Sequence, residues 1–224
     1  GRLAASLAHE INNPLQTSIG CLGLAEETLD EKENELRIYL NLAMEELKRS
    51  SRIVKKLRDL NRRVDPSEKS NINIHEILEG ILLLTKNQMV DKDIQSTIDN
   101  LAKSTDVIAS KDQITQVFLN LMMNAIDAMS DGGSVNLSLR NTENPEGVTV
   151  YIHDTGQGMT PEVKNNLFDP FFTTKEKGLG LGLYICKQII EDHEGELAVE
   201  SKFGEGTTFS IWLPQDPHQE SAQA

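Results

Sequence analysis

The sequence predicts an α+β fold in two parts: a helical hairpin over residues 1–66 and a mixed α/β sandwich over 71–214. Three observations carry this reading. Residues 33–64 hold an apolar seam in alternating steps of four and three. A polar, proline-bearing stretch, "VDPSEKSN" at 64–71, then interrupts the pattern. Beyond it, short β-type runs interleave with helical ones, as in one mixed sheet with helices on one face.

The first helix spans about 2–29. At 100° per residue, Leu3, Leu7, Ile11, Leu15, Leu22 and Leu29 fall on one face. His9 falls on the opposite side, with Asn13 and Gln16 near it, so this histidine points outward. Residues 30–32 form a turn. The second helix carries Leu36, Leu40, Ala43, Leu47, Ser50, Val54, Leu57, Asn61 and Val64 as an a/d seam. One hairpin has too little core to stand alone, and pairing two into a four-helix bundle buries both seams. The alternative is a single hairpin packed on the rest of the chain. After a linker at 67–70, helices are expected near 74–90, 111–130, 160–167 and 181–193. Strands are expected near 94–99, 106–109, 134–141, 148–153, 196–202 and 207–213. The polar tail, 215–224, is expected to be disordered.

Composition narrows the function. The hydrophobic fraction is 38% and the aromatic fraction 4%, so the core is mainly aliphatic. No apolar run approaches the length of a membrane span, and no signal peptide is visible. The opening residues already read as mid-helix, as in a piece of a longer protein. Cys21 and Cys186 lack metal-ligand spacing and read as idle thiols in a reducing compartment. Residues 1–66 hold 11 basic and 11 acidic side chains, so the net charge of −13 falls entirely on 67–224. Such a surface does not suit nucleic acid. A phosphate ligand there needs a divalent cation and locally placed lysines.

Five motifs in the second part carry chemistry. "NLMMNAIDAM" (120–129) sets Asn120 and Asn124 on one helix face. "DTGQGM" (154–159) ends an apolar strand with an aspartate and two glycines. "FDPFFTTK" (168–175) is an aromatic loop. "GLGLGLYI" (178–185) opens a helix with three glycines, which suits phosphate at a helix N-terminus. "GEGTTFSIWLP" (204–214) is a glycine turn feeding a strand. Singly each is weak: the glycine run is neither a Walker loop nor a dinucleotide fingerprint.

Together, in this order, the five resemble the ATP-binding domain of the GHKL superfamily: sensor histidine kinases, gyrase, MutL and heat-shock-chaperone ATPases. The resemblance covers about 71–214. It implies Asp154 as the reader of the adenine amine, with Gly156 and Gly158 letting backbone approach the ring. It implies Thr207 as a hydroxyl sharing a water with Asp154, and Asn124 as the Mg²⁺ ligand. Lys175, Gly178, Gly180 and Gly182 would meet the phosphates. Residues 169–180 would be a lid with Phe171 and Phe172 at its base, though core packing of both rings is an equal reading. Gyrase-like ATPases carry a water-activating glutamate where this chain has Asn120. An amide cannot accept that proton, so the site suits a nucleophile other than water, unless Asn120 only hydrogen-bonds within its helix. Leu179 replaces a common hydroxyl residue, and the lid holds no arginine, leaving Lys175 or Lys177 for the γ-phosphate.

"AHEINNPL" (8–15) resembles the H box of a sensor histidine kinase. His9 would be the nucleophile, and Glu10 would accept or orient the other ring N–H. Pro14 removes a helix donor just after it and loosens the ladder. Asn13 would position a water in a phosphatase reaction. The resemblance therefore implies a homodimeric, Mg-ATP-dependent protein-histidine kinase core. It would autophosphorylate His9 and pass the phosphoryl group to an aspartate of a response-regulator receiver domain. That partner would dock beside His9, near Gly23, Glu26 and Glu27. The basic run at 48–63 reads first as a solvated bundle face, with docking to the acidic domain as the alternative. No nucleic acid and no membrane contact is expected of this stretch; a cytoplasmic location is expected, with membrane attachment of a parent protein left open. A GHKL ATPase with His9 incidental, or a scaffold without ATP binding, are the competing readings.

Overall fold

The computed structural model describes residues 15–27, 37–38, 40–45, 47–48, 50–51, 69–175 and 180–215. The chain divides into two compact units, Gly1–Arg63 and Val64–Ala224. His9, Glu10, Asn13 and Pro14 lie outside the described residues, as do Lys177, Gly178 and Leu179.

In the first unit, residues 15–27 are helical (α1), and so are 37–38, 40–45, 47–48 and 50–51 (α2). Gln16 Nε2 donates to Ser51 Oγ at 3.3 Å, which sets the two helices side by side. Of the expected seam, Leu15, Leu22, Leu40, Leu47 and Ser50 are only half-buried within one chain, and Ala43 is exposed. Of the three residues expected on an exposed docking face, Glu27 is exposed but Gly23 and Glu26 are half-buried.

The second unit runs β1 (Ser70–Asn73), α3 (Ile74–Asp91), β2 (Ile94–Asn100), β3 (Asp106–Ala109) and α4 (Lys111–Ala128). It continues β4 (Gly133–Glu143), β5 (Glu146–Asp154), α5 (Pro161–Asn166), α6 (Gly182–Asp192), β6 (Glu196–Lys202) and β7 (Gly206–Pro214). A five-stranded sheet has the order β2-β4-β5-β7-β6, parallel only between β2 and β4. The expectation of a single sheet is corrected, since β1 and β3 form a separate antiparallel pair. The expected linker is also too long. Ser70 pairs with Ala109, and Lys69 Nζ donates to the Asp192 carbonyl at 3.2 Å. A four-residue strand with Ile72 as its one buried side chain shows no alternation to read.

Inward residues of the large sheet alternate with outward polar ones. Val135, Leu137 and Leu139 on β4, Val148, Val150 and Ile152 on β5, and Phe209, Ile211 and Leu213 on β7 are all buried. Helix α4 meets this layer with Ile114, Val117, Phe118, Leu121, Met122, Ala125 and Ile126, spaced by three and four. The expected strand ends at 141 and 148 fall short, because the β4–β5 ladder continues to Glu143↔Glu146. Gln215, assigned to a disordered tail, is tied down. It donates to the Asp106 carbonyl at 3.1 Å and accepts from Asn141 Nδ2 at 3.1 Å. Residues 216–224 lie outside the described residues.

Caps set the helix starts. Asn73 Oδ1 accepts from Glu76 N–H at 3.1 Å at the start of α3. Ser110, at the start of α4, makes no side-chain cap. Its own N–H donates to His193 Nε2 at 3.0 Å, and His193 Nδ1 donates to the Ile189 carbonyl at 2.7 Å. The ring is therefore a neutral Nδ1–H tautomer joining the end of α6 to the start of α4. It is 3% exposed, and burial pushes its pKa down from 6.5, only partly offset by the Ile189 bond. The unfolded chain thus takes up this proton more readily than the folded one. The contribution is whole above about pH 6.5 and is lost as pH falls toward the lower folded value. His193→Gln should lower stability at pH 7.5 by about 1–3 kcal/mol through the disturbed Ser110 and Ile189 bonds. It should also flatten the loss of stability between pH 7 and 5.5, as read by chemical denaturation at each pH.

Candidate nucleotide site

Strand β5 ends on Asp154, in register with Val135 of β4 and Thr207 of β7. The carboxyl group is 3% exposed, and Oδ1 accepts the Gly156 N–H at 2.9 Å. Burial pushes its pKa up; the Gly156 N–H, the nearby His153 and the Thr207 backbone N–H pull the other way. The carboxylate thus keeps unspent acceptor capacity in a place that penalises charge, which suits capture of a ligand N–H donor. Ser201 Oγ donates its one proton to the Gly206 carbonyl at 2.9 Å, so the Thr207 hydroxyl, 2.9 Å away, donates to Ser201. The Thr207 backbone N–H also reaches Asp154.

The loop after Asp154 is clamped on both sides. A Cβ at Gly156 would lie 2.8 Å from both the Cβ and the carbonyl oxygen of Ala128, at the end of α4. Gly158, at φ +65°, faces the Lys202 carbonyl, which a Cβ there would strike. The missing side chains admit the neighbouring chain at both positions, and the loop is shaped by that packing.

Helix α4 sets Asn120, Asn124 and Asp127 along one face at spacings of four and three. Lys175 Nζ donates to Asn124 Oδ1 at 2.9 Å and to Asp127 Oδ2 at 2.7 Å. Lys92 Nζ lies 4.0 Å from Asp127 Oδ1 and donates to the Ile126 carbonyl at 2.8 Å. Asp127 and Lys92 are site residues that reading of the motifs missed. The acid three residues after Asn124 was the available signal; the Lys92 approach, from the α3–β2 turn, left none.

Among the described residues, no group of three His, Cys, Asp or Glu side chains could hold a metal by itself. Asn124 Oδ1 nevertheless already holds a cation, the Lys175 ammonium, with a carboxylate beside it. That donor set fits a hard divalent ion completed by phosphate oxygens and water.

Asn120 is committed elsewhere. Its Nδ2 donates to Cys186 Sγ at 3.2 Å, and a Cβ at Gly182 would come within 2.7 Å of its Oδ1. Burial pushes Cys186 up to about 12, so it stays a thiol. Asn120 therefore bridges α4 to α6 rather than bonding only within its own helix. Helix α6 opens at Gly182 with no side-chain cap among the described residues, and the first-turn N–H groups of such a helix start suit an anion. Gly180, at φ +64°, accepts the Phe171 N–H at 2.9 Å, which closes the base of the 171–180 loop. The Phe171 side chain does not anchor that base. It is 65% exposed at φ +69°, and only Phe172 is half-buried.

The fold and this arrangement define a GHKL-type nucleotide-binding domain joined to a helical unit. Residues 109–217 match the family described as histidine kinase-, DNA gyrase B-, and HSP90-like ATPase, and residues 1–66 match the His Kinase A phospho-acceptor domain. Sporulation kinase E of Bacillus subtilis is 34% identical over 96% of this chain, which spans 28% of that protein. The nucleotide-free catalytic domain of histidine kinase ThkA superposes with a TM-score of 0.60 at 30% identity, over 66% of this chain and 95% of that one. ThkA in complex with the response regulator protein TrrA gives 0.65 at 28% identity, over 98% of this chain and 63% of that one. The chain belongs to the sensor histidine kinases, as their catalytic core.

Asp154→Asn should separate binding from stability. The folded pKa lies above 3.8, so this acid's favourable contribution is present below that value and is lost as pH rises through the folded one. At neutral pH the ionised form is a cost, and the amide removes it while still accepting from Gly156. The variant should melt at or above the wild-type temperature, yet bind ATP about 100-fold more weakly by calorimetry.

Proposed function

We propose that this chain is a Mg-ATP-dependent protein-histidine kinase core that phosphorylates His9 and passes the phosphoryl group to a response-regulator aspartate. The observation that carries this over an ATPase is the state of Asn120. The side chain where a water activator would stand is an amide bonded to a thiol. It can neither take a proton from water nor turn freely toward one.

In this reading Asp154 takes the exocyclic amine of adenine. The α6 N-terminus, with Gly178, Gly180 and Gly182, and Lys175 receive the phosphates, and Asn124 holds the cation. When bound, the magnesium ion neutralises phosphate oxygens as charge moves to the leaving group. His9 attacks the γ-phosphorus through one ring nitrogen. The N–P bond forms, the bond to the ADP oxygen breaks, and Glu10 orients or takes the proton of the other nitrogen. The phosphoimidazole is then cleaved by an aspartate carboxylate of the receiver, forming an acyl phosphate. Support comes from the phospho-acceptor match at 1–66 and from the ThkA–TrrA complex, a relative joined to its response regulator. Residues 1–66 serve as the dimerisation and phosphotransfer domain and residues from Ser70 to Pro214 as the catalytic domain. The half-buried Leu15, Leu22, Leu40 and Leu47 leave apolar surface for a second hairpin, supporting the homodimer. No helix among the described residues is long and apolar enough to cross a membrane. A cytoplasmic site of action follows from the use of ATP.

Incubation with γ-labelled ATP should give acid-labile, base-stable label on the wild type. His9→Gln should lower that label by about 100-fold or more. ATP consumption without labelling would instead favour the ATPase. Asn13→Ala should leave autophosphorylation within about threefold of wild type and slow dephosphorylation of the receiver by about tenfold or more. The check is a time course of receiver phosphate with ADP present.

A further inference from the structure

The reading above gives Asn124 and Lys175 separate tasks, yet the two side chains are bonded to each other, and Asp127 joins them. We propose that Asp127 is a positioning residue that holds the Lys175 ammonium on Asn124 Oδ1, so that Lys175 and a divalent cation compete for that oxygen. The inference rests on the reading of Asn124 as the cation ligand.

Three features support it. The Lys175 ammonium accounts for contacts to both members of the donor pair, at 2.9 Å and 2.7 Å. A divalent ion on the same amide oxygen, at about 2.1 Å, would stand within about 4 Å of that ammonium, and two positive charges so close repel strongly. The oxygen is therefore exchanged rather than shared. Asp127 lies nearly one turn beyond Asn124 on the same face of α4, so amide and carboxylate clamp one ammonium from a rigid base. Finally, the rival cation is occupied. Lys92 is held on the Ile126 carbonyl at 2.8 Å and stays 4.0 Å from Asp127, leaving Lys175 the shorter contact. The loop that carries Lys175 is closed at its base by the Phe171–Gly180 backbone bond, which limits how far the lysine can travel. Arrival of the cation thus frees the lysine from Asn124 while Asp127 keeps it beside the phosphate-facing end of the site.

Two measurements on the full chain, made without nucleotide, test this. Amine labelling read by mass spectrometry should find Lys175 about tenfold slower to react than Lys164, an exposed lysine on α5. In Asp127→Asn, Lys175 should approach the Lys164 rate. Mn²⁺ titration followed by electron paramagnetic resonance should show Lys175→Met binding the ion about tenfold more tightly than wild type. That gain should vanish when Asn124→Ala is added. Asp127 and Lys175 are both partly exposed, so the variants should keep the wild-type melting temperature, which circular dichroism checks. Equal Mn²⁺ affinity with and without Lys175, or Lys175 labelling indifferent to Asp127, overturns the proposal. Failure of the kinase reading shows separately, as a wild-type chain that does not bind the ATP analogue AMPPNP, to which both measurements are blind.

Discussion

A carboxylate taken out of water at the end of a central strand is the constraint on which this structure turns. Asp154 sits where β4, β5 and β7 run in register, and a charge there is tolerable only because backbone N–H groups from Gly156 and Thr207 point at it. Those donors require the chain to bend immediately after β5. The bend brings Gly156 against Ala128 and Gly158 against Lys202, where any side chain would collide. The end of α4 and the β6–β7 turn are therefore placed by the same requirement that prepares the acceptor.

Helix α4 connects this pole to the other one. Its buried face closes the core, and its opposite edge carries Asn120, Asn124 and Asp127. The first is spent on Cys186 of α6 and holds the two helices together. The second and third face outward and hold a cationic side chain. One helix thus fixes the spacing between the structural amide and the cation-binding amide. Its own start is secured from α6, through the bond from Ser110 to His193. The second unit carries the chain's whole excess of acidic residues, and its lysines at 92 and 175 are grouped around Asp127.

Much of this was legible in the sequence. The helices and most strands follow from apolar periodicity, because burying one face of each element imposes it. That Asn124 stands on a helix face, Asp154 at a strand end and Gly182 at a helix start was legible too, because such placements are written in adjacent letters. Three expectations failed for one kind of reason. β1 is short and mostly polar, and it exists only because β3 offers a partner 36 residues or so away in the chain. Gln215 is ordered by Asn141 and Asp106, which are remote in sequence. Phe171 is exposed because the loop is closed by its backbone rather than its ring.

The sequence by itself determined the class of fold, the order of the elements after β1 and the family, since each depends on local pattern or on motifs met in order. Only the tertiary structure decided which groups share an atom. That Asn120 bonds a thiol, that His193 is a neutral strut, and that Lys175 lies on Asn124 beside Asp127 are facts about partners 48 to 83 residues apart. Hydrogen bonds and ion pairs act over about 3 Å. Separation along the chain carries no information about them until packing has brought their elements together.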